Sequence, residues 1–333
     1  MATYKEIHGV NLPELVSDPS ITGPIDIWYN TTSGKFKVIA NLTSGTWASG
    51  GNMGTARYFL AGAGTQTAGL AFGGATPGGD ETEEYDGSAW TAGGFLNQGR
   101  YGLAGAGTQT AGLAIGNTTE TEEYNGSVWT VGGNLNISRI KFAAAGTQTA
   151  GLGFAGTSND EFDPNDSTFL SSTTEEYDGS TWTAGGNLST KREYIAGAGT
   201  QTAGLGFGGQ IDSFTYVVTN ATEEYDGTSW TAGGNLGSVR YEHAGAGTQT
   251  AGLSFGGETK NPYNTPDAAT EQYDGTSWTA GGNMNTSRYI LAGAGTQSSG
   301  LAFGGKDTNY NDSNKTEEYE GPGAYIRTLT SSI

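Results

Sequence analysis

The chain has no cysteine, only two histidines, and 15 Lys and Arg against 34 Asp and Glu. Without cysteine there is no disulfide, no thiolate metal site and no Cys nucleophile. A formal net charge of −19 repels phosphate backbones, which argues against a nucleic-acid partner. No apolar run approaches the roughly 18–20 residues that cross a bilayer, so membrane insertion is not expected. The N-terminal "MATYKEIHGVNLPELV" lacks the basic region and apolar stretch of a signal peptide, which predicts synthesis without export. What the chain does have is glycine, 58 residues of it, with much Thr, Ser and Asn. That mixture alone would suit low complexity. Here 11% aromatics recur at regular intervals, which predicts an ordered, turn-rich β protein.

Length alone would suggest two domains, but internal repeats override that prior. Three blocks recur six times. The first is "RYGLAGAGTQTAGLAFGG" and its variants, at 57–74, 100–117, 139–156, 192–209, 240–257 and 288–305. The second is "TEEYDG". The third is "SxWTAGGNLNTSR", which leads into the next copy. Successive tryptophans are 43, 39, 53, 48 and 48 residues apart. A period of about 40–50 residues belongs to propellers rather than to the shorter helical solenoids.

Each block reads as strand. "YGLAGAG" and "AGLAFGG" flank "TQT", a tight connection between strands a and b. "TEEY" and "SxWTAGG" flank Asp-Gly, which predicts a type I′ hairpin between strands c and d. Four antiparallel strands per repeat make one propeller blade. Alternating Ala and Gly, as in Ala104 to Gly107, suit strands crowded near a ring axis. The Tyr of strand c and the Trp of strand d supply volume toward the rim, at about 150–250 Å² per aromatic. The expected structural set is Trp47, Trp90, Trp129, Trp182, Trp230 and Trp278, with Arg57, Arg100, Arg139, Arg192, Arg240 and Arg288 before each strand a. These arginines are expected to pair with the repeated Glu residues, because a specific site rarely needs all six copies alike.

The last copy, "TEEYEGPGAY" at 316–325, has no Trp. The start of the chain has a Trp strand with no "TEEY" before it, "SGTWASGG" at 44–51. The two halves predict one blade that closes the ring. The expected fold is therefore all-β, a six-bladed propeller over 44–321 with four-stranded antiparallel blades. An N-terminal segment, 1–43, carries a β-hairpin, and 322–333 form a strand or tail. The alternative is a seventh blade over 25–50.

The pattern of Arg, Gly-Gly, "EEYDG" and Trp resembles the kelch repeat over about 47–321. Copies two and three depart from it, with "AIGN" and "GFAG" in place of Gly-Gly. The wording of the repeats also resembles kelch-type repeats of tailed, especially marine, bacteriophages. "SDPSITGPIDIWYNTTSGKFKV" at 17–38 resembles a segment of phage virion proteins. This resemblance implies a virion protein of the tail, fibre or capsid, assembled in the host cytoplasm. Its partners would be other virion proteins or further copies of itself. The alternative is a free interaction module.

The connections between strands b and c differ where the blocks do not, and binding residues commonly sit on loops held by a rigid scaffold. In an up-and-down blade these connections share a face with the d-to-a linkers. The candidate binding residues are Phe162, Asp163, Asp166, Phe214, Tyr216, Tyr263, Tyr310 and Asp312. Aromatic faces beside carboxylates and amides suit carbohydrate, so the expected ligand of this face is a host-surface glycan or a neighbouring virion subunit. No cofactor is expected. Calcium is the alternative, on "DTNYND" from Asp307, although Asp312 stands where an EF-hand turn needs Gly. No enzyme is expected. Copper oxidases of the kelch fold use a Tyr–Cys crosslink, and no pair of carboxylates stands out for glycoside hydrolysis.

Overall fold

The computed structural model describes residues 4–7, 10–18, 27–42, 44–75, 79–158, 169–259 and 265–328. The chain divides into two compact units, Trp47–Glu320 and the paired ends Met1–Thr46 and Gly321–Ile333.

The larger unit is a ring of six four-stranded antiparallel blades. In blade 2, strand a is Ala104–Thr108, b is Ala111–Ile115, c is Thr121–Tyr124 and d is Trp129–Val131. Blades 1, 3, 4 and 5 repeat this order. Blade 6 takes strands a to c from Ala292–Gly295, Ser299–Phe303 and Thr316–Glu320. Its strand d is Thr46–Ser49, from the other end of the chain. The blade count is six, and the missing Trp of the last copy is Trp47.

The core lies between blades, not within them. One cluster joins Ala61, Ala63, Leu70 and Phe72 of blade 1 to Ala114, Tyr124 and Trp129 of blade 2. Trp129 packs 4.9 Å from Phe72 and 4.8 Å from Tyr124. Its indole Nε1 donates to Thr82 Oγ1 of the preceding blade at 2.9 Å. The same Trp-to-Thr bond recurs at all six joints, including Trp47 to Thr270 across the seam. Near the axis the strands crowd. A Cβ on Gly105 would lie 2.5 Å from the Gly62 carbonyl oxygen and 2.7 Å from the Phe72 ring, so only hydrogen fits. The six strands a enclose an axial channel of about 190 Å³, lined by Ala and Gly.

Polar side chains fasten the joints. The Gln of each "TQT" turn donates Nε2 to two carbonyls of the preceding blade, as Gln201 does to Gly151 at 3.0 Å and Tyr177 at 2.7 Å. The second Glu of "TEEY" accepts from the Tyr hydroxyl of the next blade, as Glu123 does from Tyr177 at 2.6 Å. The first Glu pairs with the Arg of its own blade. All six arginines are buried, 0–1% exposed. Arg139 Nη2 lies 2.6 Å from Glu175 Oε1, and Nη1 donates to the Ala155 and Thr173 carbonyls. Arg57, Arg100, Arg192, Arg240 and Arg288 repeat this with Glu83, Glu122, Glu223, Glu271 and Glu317.

The c–d turns differ from the type I′ expectation. In "YDGSTW", Tyr177 pairs with Trp182, leaving a four-residue loop. Gly179 has φ +90° while Asp178 has no positive φ. Asp178 Oδ1 instead accepts from the Ser180 and Thr181 backbone N–H groups, at 2.9 and 2.8 Å. The Asp is a side-chain cap, not the first residue of a primed turn.

The smaller unit is a five-stranded sheet in the order Tyr4–Ile7, Val10–Leu15, Ile27–Asn30, Lys35–Leu42, Gly323–Thr328. The second and third strands run parallel and the other neighbours antiparallel. The expected hairpin is its centre, with Trp28 buried and donating to Asp18. The C-terminal strand pairs with Lys35–Leu42 over six residues, so both chain ends belong to one sheet.

Candidate functional site

Each blade enters strand a through the residues after its buried Arg. The first residue after the Arg bridges the start of the b–c connection in five blades. The pairs are Tyr58–Ala75, Ile140–Thr157, Glu193–Gln210, Tyr241–Glu258 and Tyr289–Lys306. This places the variable connections beside the axis on one face.

The second residue after each Arg forms a collar around the axis. In order these are Phe59, Gly102, Lys141, Tyr194, Glu242 and Ile290. Each donates its backbone N–H to the carbonyl of the residue before it in the ring, at 2.7–3.3 Å, and Phe59 closes the cycle onto Ile290. All six have φ between +46° and +64°. That region is costly for side chains other than glycine, of order 1–3 kcal/mol each, and persists only where the surroundings enforce it. Here the closed hydrogen-bond cycle enforces it. The backbone is therefore sixfold, while the six positions carry five different side chains and one glycine.

Below the collar lie Leu60, Leu103, Phe142, Ile195, His243 and Leu291, which with the collar line a cavity of about 90 Å³. His243 replaces the aliphatic and aromatic residues of the other blades. Burial, then Arg240, push its pKa well below the ordinary value, so it is neutral.

Around the collar the side chains are aromatic and acidic. Phe59 and Tyr194 come from opposite blades and stack with centroids 6.1 Å apart. Lys141 Nζ lies 4.6 Å over the Tyr194 ring and 3.1 Å from Glu193 Oε2. Glu193 also accepts from Thr157 Oγ1 at 2.8 Å. Lys306 Nζ lies 3.9 Å over the Tyr58 ring and pairs with Asp312. Tyr241 donates its hydroxyl to Glu258 Oε2 at 2.5 Å. Burial, then the charge of Glu258, push Glu242 up to about 8, with Lys141 opposing. Burial raises Glu258 too. Tyr194, Tyr241 and Tyr289 are raised, first by burial and then by these carboxylates.

Of the residues singled out from sequence, Phe162, Asp163, Asp166 and Tyr263 lie outside the described residues. Phe214 and Tyr216 sit at the tip of a hairpin between Gln210–Asp212 and Val217–Val218, 65% and 53% exposed. Tyr310 is 65% exposed and meets Tyr289 edge-on at 6.3 Å. Tyr310 and Asp312, which pairs with the Lys306 over Tyr58, thus rim the collar. Asp307 Oδ1 accepts from the Asn309 and Asn311 backbone N–H groups, closing its own loop. Among the described residues no group of three His, Asp or Glu is placed to hold a metal.

The collar itself was not singled out from sequence. Its signal is present: the third letter of "RYF", "RYG", "RIK", "REY", "RYE" and "RYI" changes in every copy.

No protein-family model matches the chain, and no curated protein matches it. Among solved structures, one titled "Structure of YjhT" is similar with a TM-score of 0.66 at 12% identity. The likeness covers 84% of this chain and 99% of that one. At that identity it speaks for the propeller fold alone.

Proposed function

We propose that this protein is a non-catalytic, cofactor-free binding propeller that presents its collar face to a glycan. The observation that carries this reading is the collar. Six near-identical repeats place five different side chains, all at strained positive φ, and one glycine at six equivalent positions around one axis. A purely structural collar would repeat its residue, as the buried arginines do. Aromatic faces beside carboxylates supply what sugar recognition uses, apolar stacking with hydrogen-bond acceptors. The kelch-like and phage-like wording of the repeats supports placing the protein in a virion, as a tail, fibre or capsid-associated component. There the glycan belongs to a host surface, and the smaller unit is the candidate for docking to a neighbouring subunit. Glycan-array binding of the intact protein, with the 306–315 loop shortened as a comparison, tests the ligand. Specific binders weakened by shortening are expected; no binder counts against the reading. Mass spectrometry of purified particles tests the location. A virion component stays with intact particles, and a free protein-interaction module does not.

A further inference from the structure

Three aromatic sectors surround the collar, and two of them already hold a cation. Lys141 sits over Tyr194 and Lys306 over Tyr58, each also paired with a carboxylate. The third sector, between blades 5 and 6, has the same chemistry. Tyr241 stands edge-on to Tyr194 at 6.1 Å, and Tyr289 edge-on to Tyr310 at 6.3 Å. Glu258 Oε2 accepts from the Tyr241 hydroxyl at 2.5 Å, and Glu242 borders the cavity beside Tyr194. Neither carboxylate has a Lys, Arg or His within ion-pair distance among the described residues; Lys141, the basic group that acts on Glu242, is committed to Glu193. The cavity beneath the collar, bordered by Glu242 but not by Tyr241, Tyr289 or Glu258, is about 90 Å³, room for a small head group rather than a polymer chain.

We propose that this sector binds an alkylammonium group carried by the ligand, held by the Tyr241 and Tyr289 rings and the Glu242 and Glu258 carboxylates. Aromatic rings attract such cations through their quadrupoles, and quaternary ammonium groups suit them because methyls and charge are both accommodated. The proposal rests on the glycan reading and names the substituent recognised.

The sign of its pH dependence follows from the groups that face the cation. Glu242 is held protonated until about pH 8 by burial and by Glu258. Glu258 beside it is raised by burial, Lys141 opposes, His243 is neutral, and Tyr194, Tyr241 and Tyr289 remain un-ionised at these pH values. Ionisation of Glu242 therefore strengthens cation binding as pH rises through 8, and binding below that pH releases a proton.

Calorimetric titration of the intact protein with choline and with its neutral isostere 3,3-dimethylbutan-1-ol tests this. At pH 8.5 choline is expected to bind about tenfold more tightly than the isostere. Glu242→Gln should weaken choline at pH 8.5 and leave it nearly unchanged at pH 6. Lys141→Met removes the competing charge and also lets Glu242 keep its proton to higher pH, so it should strengthen choline at pH 6, where Glu242 is protonated in both proteins, an outcome that misfolding does not produce. Equal binding of the two probes, no choline binding, or indifference to Glu242→Gln at pH 8.5 overturns the proposal. Array hits without a choline preference leave the glycan reading standing and remove this one. Phosphocholine-substituted glycans, set beside phosphatidylcholine vesicles, separate the source. Array binding supports both readings. Vesicle binding alone supports the cation site and overturns the glycan.

Discussion

At the scale of single residues the repeated charges and the unrepeated ones have opposite roles. Arg192 is buried, and its guanidinium holds Glu223 and the Gly208 and Ala221 carbonyls. Arg192→Ala leaves the carboxylate and both carbonyls without that partner, at a cost of about 3–5 kcal/mol. Chemical denaturation should show that loss, with glycan binding retained under native conditions. Unchanged stability with lost binding would make the arginine a ligand instead. The arginine and its Glu were legible in the sequence because six identical copies meant six identical jobs. The collar was not, since a position that changes in every copy looks like noise until the backbone shows it circling the axis. Glycine beyond the Trp strand had a plain reason that sequence did not supply. A Cβ on Gly133 would stand 1.9 Å from the Ser180 carbonyl oxygen of the next blade.

Individual elements show where local signals gave the right partners and the wrong geometry. The c–d hairpin was legible from Asp-Gly, but its turn is capped by the Asp carboxylate rather than built on paired positive φ. Asp178 and Asp226 are held down to about 2 by backbone and hydroxyl donors, and Asp86 and Asp274 are lowered by the same contacts. A carboxylate lowered in the fold adds stability above its unfolded pKa, near 3.8, and loses it as pH falls through its folded value. Blade 2 has Asn125 in this place, with the same backbone bonds and nothing to titrate. Replacing Asp86, Asp178, Asp226 and Asp274 together by Asn should therefore flatten the fall in melting temperature between pH 4 and pH 2, and barely change it at pH 7. An equally steep acid fall would show that the turns do not carry it. The local pattern marks "TQT" only as a connection; the length of its Gln lets it reach two carbonyls across the joint, a long-range role that a local pattern does not reveal.

In the whole molecule, the ring closes by pairing the two ends of the larger unit. Strand Thr46–Ser49 covers the strand Thr316–Glu320, and Trp47 packs 5.0 Å from both Phe255 and Tyr319. Deleting residues 1–50 removes that strand, exposes the sixth blade's edge and opens the Trp joint to blade 5. The truncated chain should lose its cooperative thermal unfolding transition by circular dichroism. A truncation that melts like the full chain would mean the seam is dispensable. The seam was legible because a strand missing at one end was surplus at the other. The alliance of the C-terminal strand with the N-terminal hairpin was not, since nothing in either segment names its partner. Ring and seam together hold a collar of five different side chains and one glycine around the axis. Its most direct test is a glycan array run with the intact protein and with a Phe59→Ala, Lys141→Ala, Tyr194→Ala, Glu242→Ala variant. The account predicts defined glycan binding by the intact protein and its loss in a variant that remains folded. Binding that survives all four substitutions, or no binding by either protein, would contradict it.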